Sequence, residues 1–192
     1  EVRSLHLSGS GLELEATGSL PFEGSTGGRL SLTSSLDLAV LLPFYDVLDR
    51  ASGRLKARLD VAGTLERPVP TGSLSVEDAL LDGPEFPTPI EKLAGTVSFH
   101  PGEVRSDGVS ARIGGGSVAV AGVAALAEGE LRRVDLTLRA RDLELESGKD
   151  LQVKAGADLA AKGEWPTPAV SGEVRFDDVV YVPSLDATEL LK

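Results

Sequence analysis

Apolar and polar residues alternate along most of the chain. In the segment RLKARLDVAG the apolar positions Leu55, Leu59 and Val61 are separated by charged residues, and similar alternation occurs in GLELEA, GRLSLT, GSLSVE, GTVSFH, SVAVAG and GEVRF. A period of two is typical of β-strands with one apolar and one solvated face. Turn signals rich in glycine and proline recur about every 8–12 residues, which favours an all-β fold. The pattern predicts about a dozen strands, each of about eight residues.

One segment breaks this alternation. In LDLAVLLPFYDVLDRASG the apolar residues recur every three or four positions, and a glycine follows at Gly53. This spacing predicts one short amphipathic helix at about residues 39–50, with Pro43 near its first turn. Its apolar residues are Val40, Leu41, Phe44, Val47 and Leu48. The helix is expected to cover one end of the sheet as a cap or plug.

Two segments that lie one hundred positions apart share the same order of turn and strand residues. GTLERPVPTGSLSVEDALL begins at Gly63, and GEWPTPAVSGEVRFDDVVY begins at Gly163. The matching positions are Gly63 and Gly163, Pro68 and Pro168, Gly72 and Gly172, and Asp78 and Asp178. They define repeat units near residues 53–82 and 153–182. Because one strand pair cannot bury its apolar face alone, such units are expected to stack on neighbouring strands.

Composition limits the class of protein. The 192 residues are 41% hydrophobic but only 4% aromatic, which is typical of an ordered chain with an aliphatic interior. The net charge of −11 argues against a nucleic-acid partner, because phosphate binding needs clustered Lys and Arg. The chain has no cysteine, which excludes disulfides and thiolate metal sites. Since it begins with Glu1 and contains no methionine, we expect residues 1–192 to be a single segment excised from a longer chain.

No group of residues forms a pattern typical of catalysis. The acidic pairs Glu77–Asp78 and Asp177–Asp178 consist of adjacent residues, and neighbours on a strand point to opposite faces of a sheet. His6 and His100 lack the spacing of zinc ligands. The segment IGGGSVAVAG lacks the Lys-Ser/Thr of a phosphate-binding loop and opens into a strand. We therefore predict no enzymatic activity, no catalytic residue, no metal and no cofactor.

Three segments combine these turn and strand motifs in a fixed order. They are GTLERPVPTGSLSVEDA, IEKLAGTVSFHPGEVRSDGVSARIGGGSVAVAGVAAL and GADLAAKGEWPTPAVSGEVRFDDVVYV. Together they resemble the TamB family, the large periplasmic component of the bacterial translocation and assembly module, within the wider AsmA-like group. The family pattern pairs a strand ending in Gly-x-Leu-x-x-Pro with Gly-x-Leu/Val-x-Leu/Val. It also has a Gly-Gly-Gly-x-Val-x-Val-x-Gly segment, matched here by residues 114–122, and the likeness covers about residues 29–183.

The resemblance implies a long β-sheet curled into a U, a β-taco, with an aliphatic inner groove and a polar outer face. Such proteins are thought to carry phospholipid between the inner and outer membranes of diderm bacteria, as part of outer-membrane biogenesis. This implies a location in the periplasm, anchored to the inner membrane by a segment absent here. The implied partners are phospholipid acyl chains and, through regions outside this chain, an Omp85-type outer-membrane protein.

The residues expected to line the groove are the inward-facing members of the alternating segments. They are Leu55, Leu59, Val61, Leu74, Val76, Val97, Phe99, Val118, Val120, Leu136, Leu138, Val174 and Phe176. A nearly aromatic-free lining with few polar groups suits a cargo that slides. Two alternatives stay open. One is a scaffold for outer-membrane protein assembly, whose sheet edges guide other strands by augmentation. The other is a surface stalk or adhesin with a closed aliphatic core.

Overall fold

Eleven strands form one antiparallel sheet in which each strand pairs with its neighbours in chain order. The computed structural model of the chain describes residues 4–22, 27–45, 47–86, 88–127, 129–147 and 151–181. One 3₁₀ helix, Leu38–Phe44, connects the third and fourth strands. The strands are β1 (Ser4–Gly9), β2 (Leu12–Ser19), β3 (Gly28–Asp37), β4 (Arg50–Gly63), β5 (Pro68–Asp82), β6 (Ile90–His100), β7 (Glu103–Ile113), β8 (Gly116–Ala127), β9 (Glu130–Ser147), β10 (Leu151–Glu164) and β11 (Ala169–Tyr181).

The predicted all-β class, with about a dozen strands and one short helix, is confirmed. The sheet is open, with β1 and β11 at its edges, and is consistent with an elongated, curled arrangement. Nine of the eleven described strands are longer than the eight residues expected, and the longest, β9, spans 18 residues. The reason is that irregular residues such as Asp78 (φ 46°) and Asp142 (φ 52°) shift the alternation, while pairing resumes beyond them.

The strand register aligns mostly apolar residues, interrupted by serine and glycine, into rows that cross the eleven described strands. One row consists of Leu7, Leu14, Ser34, Ala57, Leu74, Val97, Ser106, Gly122, Leu136, Ala161 and Val170. A second row consists of Gly9, Leu12, Leu36, Leu55, Val76, Gly95, Val109, Val120, Leu138, Leu159 and Gly172. Both rows lie on the same side of the sheet, because their residues on each strand are two apart or are separated by a bulge. We call this side the apolar face.

The apolar face is only partly covered. Its buried positions hold mainly small residues, such as Ala57 and Ala140, and Ala79 has no exposure to solvent. Among the residues that the structure describes, no large side chain is fully buried. A closed domain of this size would bury many large aliphatic side chains. The alternative of a closed aliphatic core therefore does not describe this sheet.

The connection between β3 and β4 contains the predicted helix within narrower bounds. It is a 3₁₀ helix that begins after Asp37, whose Oδ1 accepts a hydrogen bond of 2.9 Å from the amide of Ala39. It ends at Phe44, so the prediction of helix to residue 50 is wrong for residues 45 and 47–50, of which Arg50 already begins β4, while Asp46 lies outside the described residues. Pro43 has no N–H to donate and disfavours α-helical backbone at the residue before it, which is consistent with a short 3₁₀ turn.

Ion pairs tie neighbouring strands together on the opposite, polar face. Lys56 Nζ lies 2.7 Å from Glu77 Oε1, and a larger network joins β9, β10 and β11. In that network, Asp158 accepts hydrogen bonds from Arg141 Nη2 at 2.8 Å and from Arg175 Nη2 at 3.2 Å. The hydrogen bond from Arg141 lowers the pKa of Asp158 below its ordinary value of 3.8, and the positive charges of both arginines act in the same direction.

The segment that superficially suggested a phosphate-binding loop is a β-hairpin. Gly114 (φ 54°) and Gly115 (φ 78°) form the two-residue turn between β7 and β8. A positive φ at both positions is typical of a type I′ turn, which favours glycine. No helix in the described part of the chain is long and apolar enough to cross a membrane.

Candidate functional site

Apolar side chains line an open cavity between the 3₁₀ helix and the apolar face. We call it the helix cavity, and its volume is about 460 Å³. Its lining residues come from the helix and the residues after it and from four adjacent strands: Leu38, Leu41, Tyr45, Leu48, Leu55, Leu74, Val76, Leu81, Leu93, Gly95, Val97 and Val109. None of these residues carries a charge at neutral pH. The size falls within the range of about 300–1,000 Å³ that is typical of small-molecule sites.

The helix side of the cavity rests on a small packed cluster. Leu38, which is 7% exposed, lies against the buried alanines Ala51 and Ala79. Leu41 and Leu42 from the helix, and Leu48 from the residues that follow it, pack against this cluster. The cluster holds the helix above the sheet, so that the leucines form a roof over the cavity.

The sheet side of the cavity depends on an irregularity in β5. Leu74 and Val76 lie on the apolar face, and the register then shifts, so that Ala79 pairs with Leu93 and Leu81 pairs with Ile90. Asp78 sits in the shift with a positive φ of 46°. The extra residue returns the chain to the same face, and β5 thereby contributes leucine or valine to the cavity on both sides of the bulge.

Tyr45 marks the boundary between the cavity and solvent. It lines the cavity, yet it is 53% exposed, and the neighbouring Phe44 is 76% exposed. Phe44 therefore does not face the sheet as the three- and four-residue spacing predicted. A tyrosine in this position combines an apolar ring with a polar tip, an arrangement suited to a site that is apolar inside and wet outside.

All thirteen residues expected to line the groove lie on the apolar face. Leu55, Leu74, Val76 and Val97 contribute to the helix cavity, while Leu59, Val61, Phe99, Val118, Val120, Leu136 and Leu138 are half-buried on the rest of the face. Val174 and Phe176, on β11, are 50% and 68% exposed. The role of the thirteen residues in lipid binding stays a prediction.

Sequence reasoning missed most of the residues that enclose the cavity. Leu38, Leu81 and Leu93 were not among the expected lining residues, and Leu41 and Leu48 were expected only as parts of a capping helix. The helical spacing in residues 38–48 was the available signal. It indicated an apolar segment, but it did not indicate which strands that segment contacts. Leu81 was hidden because the bulge at Asp78 interrupts the alternation of β5.

The acidic pairs and histidines do not assemble into a site. Glu77 pairs with Lys56, and Asp78 occupies the bulge; Asp177–Asp178 lie at the equivalent irregularity in β11. His6 Nδ1 lies 3.4 Å from Glu15 Oε1 on an exposed edge hairpin. Within the described ranges, no group of three or more His, Cys, Asp or Glu residues could hold a metal ion.

The geometry of the site therefore consists of an apolar cavity that opens onto an exposed, largely aliphatic sheet face. Comparisons with models of protein families, with curated proteins and with solved structures each gave no match for this chain.

Proposed function

We propose that this chain is a lipid-binding segment of a TamB/AsmA-like envelope protein, which carries phospholipid between the inner and outer membranes along its apolar face. The observation that carries the proposal is the helix cavity, an uncharged space of about 460 Å³ that continues into the half-exposed rows of the apolar face. Contiguous exposed apolar surface of this kind marks a binding site in a soluble protein.

The dimensions of the cavity suit one acyl chain. Its lining extends from Leu55 on β4 to Val109 on β7, which are three strand spacings apart. At about 4.8 Å per spacing this is about 14 Å. An acyl chain that fills half of a bilayer core is about 15 Å long. Each methylene that leaves water for such a space contributes about 0.8 kcal/mol.

The distribution of polar groups indicates how a lipid would be oriented. No lining residue of the cavity is charged, so a phosphate headgroup has no partner inside it. Tyr45 lies at the solvent boundary, where its hydroxyl can meet the polar part of a lipid. The acyl chain would lie under the helix and across β4 to β7, with the headgroup in solvent, and it could slide along the rows because no charged group in the lining fixes it.

The proposed setting is the periplasm of a diderm bacterium, with an inner-membrane anchor and an Omp85-type partner supplied by other parts of a longer protein. The resemblance of the sequence to the TamB family supports this setting. The alternative role, a scaffold for outer-membrane protein assembly by strand augmentation, stays a prediction that rests on the sheet edges. It gives no role to the helix cavity, and the lipid proposal is preferred for that reason.

Mass spectrometry of the purified chain, under native conditions and after organic extraction, tests the proposal. We expect co-purified phospholipid, or uptake of a fluorescent phospholipid from vesicles when the purified chain is empty. A chain that carries no lipid and takes up none would contradict the proposal.

Paired variants locate the bound lipid. Val97→Asp places a carboxylate in the cavity and should abolish uptake, whereas Ser98→Asp, one residue along β6 on the polar face, should leave it intact. Since Val97→Asp can also impair folding, Leu41→Trp provides a neutral block that fills the cavity. Unchanged uptake by folded Leu41→Trp would place the lipid elsewhere.

A further inference from the structure

The edge strand β11 offers a long and exposed surface for strand pairing. In the described part of the chain it pairs only with β10, and it spans 13 residues, against six for β1 at the other edge. Its side chains on the apolar face are exposed, at 69% for Val170, 50% for Val174 and 68% for Phe176. Unpaired edges of this kind are templates for another strand, unless charge, proline or a bulge blocks them. In β11 the bulge lies only beyond Phe176, so the strand before it is regular.

The repeat shows which side of β11 is not occupied by any described strand. In the first unit Leu59 pairs with Gly72, and in the second unit Leu159 pairs with Gly172, so β11 takes the place of β5. The other side of β5 is occupied by β6, whereas the same side of β11 is free of any described strand.

The pairing of β6 with β5 defines the side chains that fit there. Phe99 lies opposite Gly72, Val97 lies opposite Leu74, and Gly95 lies opposite Val76. The fitting strand therefore reads Gly-x-Val-x-Phe in the antiparallel direction. An aromatic residue opposite a glycine covers the exposed backbone that the glycine leaves.

β11 carries the same pattern itself. It reads Gly-Glu-Val-Arg-Phe from Gly172 to Phe176, where β6 reads Gly-Thr-Val-Ser-Phe from Gly95 to Phe99. If two β11 strands meet in the antiparallel direction with Val174 at the centre, Gly172 of each copy lies opposite Phe176 of the other. A second copy of the chain thus repeats the pattern of the β5–β6 pairs, with an aromatic residue opposite glycine and an aliphatic pair at the centre.

The charges on the polar side select the same register. With Val174 at the centre, Glu173 of each copy lies opposite Arg175 of the other, which gives two attractive pairs. A shift of the partner strand by two residues in either direction places Arg175 opposite Arg175 or Glu173 opposite Glu173. Like charges directly opposite each other destabilise a strand pair, and opposite charges stabilise it.

From these observations we propose that two copies of the chain pair through β11, antiparallel and with Val174 of each copy at the centre. The regular ladder would cover residues 172–176 of each copy, which end before the bulge, and form about five backbone hydrogen bonds. The symmetry axis is perpendicular to the sheet, so the apolar faces of the two copies lie on the same side. The rows of one copy would continue into those of the other.

Cysteine cross-linking tests the register, since the chain contains no cysteine of its own. Val174→Cys places two thiols directly opposite each other, with Cα atoms about 4.5–5.5 Å apart. This separation falls within the range of about 4.4–6.8 Å for a disulfide. Val170→Cys is the matched control, because it lies on the same face and strand while its two copies would be about 26 Å apart.

We expect a disulfide-linked dimer for Val174→Cys under mild oxidation and none for Val170→Cys. Equal cross-linking of the two variants would overturn the register. Sedimentation of the unaltered chain over a range of concentrations should show a monomer and a dimer only. A monomer at all concentrations, or open-ended filaments from pairing of β11 with β1, would overturn the proposal.

Charge exchange gives a second, independent test. Glu173→Arg alone and Arg175→Glu alone each create two like-charge pairs, and each should weaken dimerisation by about tenfold or more. A mixture of the two single variants should form a heterodimer, because both cross-strand pairs are then again of opposite charge. A mixture that stays monomeric while each variant is folded, as judged by circular dichroism, would contradict the pairing.

Dimerisation does not depend on the proposed lipid binding. It is measured on lipid-free protein, and a dimer without lipid would leave this proposal standing while the lipid proposal fails. A lipid-bound monomer would do the reverse.

Discussion

The strand pairs β4–β5 and β10–β11 have the same backbone pattern and different surroundings. Leu59 pairs with Gly72 in one and Leu159 pairs with Gly172 in the other, and the neighbouring pairs keep the same offset of one hundred residues. Both glycines have a positive φ, of 121° and 137°. A Cβ on Gly72 would collide with the carbonyl oxygen of Arg58, and one on Gly172 would collide with that of Asp158. The repeated sequence therefore encodes one local ladder twice.

The burial of the two pairs differs sharply. Val76 is half-buried in the helix cavity, while Phe176, at the equivalent position opposite Ala155, is 68% exposed. The first pair has β6 beside it and the 3₁₀ helix above it, and the second has neither in the described part of the chain. The comparison teaches that local sequence sets pairing and register, whereas neighbouring elements set burial and the capacity to enclose a ligand.

A charge at the two equivalent positions should produce the largest difference. Val76→Asp puts a carboxylate among aliphatic side chains and should lower the free energy of unfolding by about 3 kcal/mol. Phe176→Asp puts one on an exposed position and should cost less than about 1 kcal/mol. Urea denaturation at concentrations too low for self-association measures both. Ser75→Asp, on the polar side of β5, is the control, and equal costs for Val76→Asp and Phe176→Asp would refute the contrast.

The apolar face could be predicted from the sequence because a strand has only two faces. Once Leu55 and Leu59 on β4 are assigned to one face, alternation assigns Val61 with them, and the same holds for Leu136 and Leu138 on β9. The turns were equally local, since adjacent glycines such as Gly114 and Gly115 demand a tight hairpin.

The helix cavity could not be predicted in the same way, because it combines residues that are distant in the chain. Leu38 contacts Ala79 only because the helix folds back over β5, and no local pattern records that contact. The bulge at Asp78 also moves Leu81 to the apolar face, whereas strict alternation from Val76 would place it on the polar face. The repeat did not predict that the 3₁₀ helix would cover one copy while the other stays exposed, since the difference lies outside the repeated residues.

Alanine at the two matched glycines should sharpen the comparison with a smaller effect. Gly72→Ala forces a side chain into a backbone conformation and a close contact that it cannot tolerate, and should lower the free energy of unfolding by about 2 kcal/mol. Gly172→Ala creates the same strain at an edge, where β11 can detach without disturbing β9. We expect its cost to stay below about 1 kcal/mol.

Hydrogen exchange distinguishes the two outcomes. Gly72→Ala should accelerate exchange throughout β4, β5 and β6, and Gly172→Ala should accelerate it in β11 alone. Gly115→Ala is a useful reference, since a Cβ there meets nothing within 4 Å although φ is 78°. If Gly172→Ala also accelerated exchange in β4–β6, the stability of β10–β11 would be coupled to that of β4–β5, and the two strand pairs would not be independent.

The smallest expected effect concerns the charges that hold the exposed pair. Position 158 is Asp where the first pair has Arg58, and its carboxylate joins Arg141 on β9 to Arg175 on β11. Because these hydrogen bonds keep the pKa of Asp158 below 3.8 in the folded chain, they stabilise the fold at pH values above the unfolded pKa. The stabilisation is lost as the pH falls through the lower, folded pKa. Acidification below about pH 4 should therefore loosen β11 selectively.

Amide exchange of β11, followed by NMR between neutral and acid pH, measures this loosening. Asp158→Asn should reduce protection of β11 at neutral pH and remove part of its dependence on pH. Asp177→Asn removes a carboxylate from the same strand pair but keeps the contacts of Asp158 with both arginines, so it should leave that dependence in place. If the protection of β11 fell with pH in the same way in Asp158→Asn and in the unaltered chain, the polar network would not hold the edge. The edge would then depend on backbone pairing with β10 alone, which is the part that the repeat does encode.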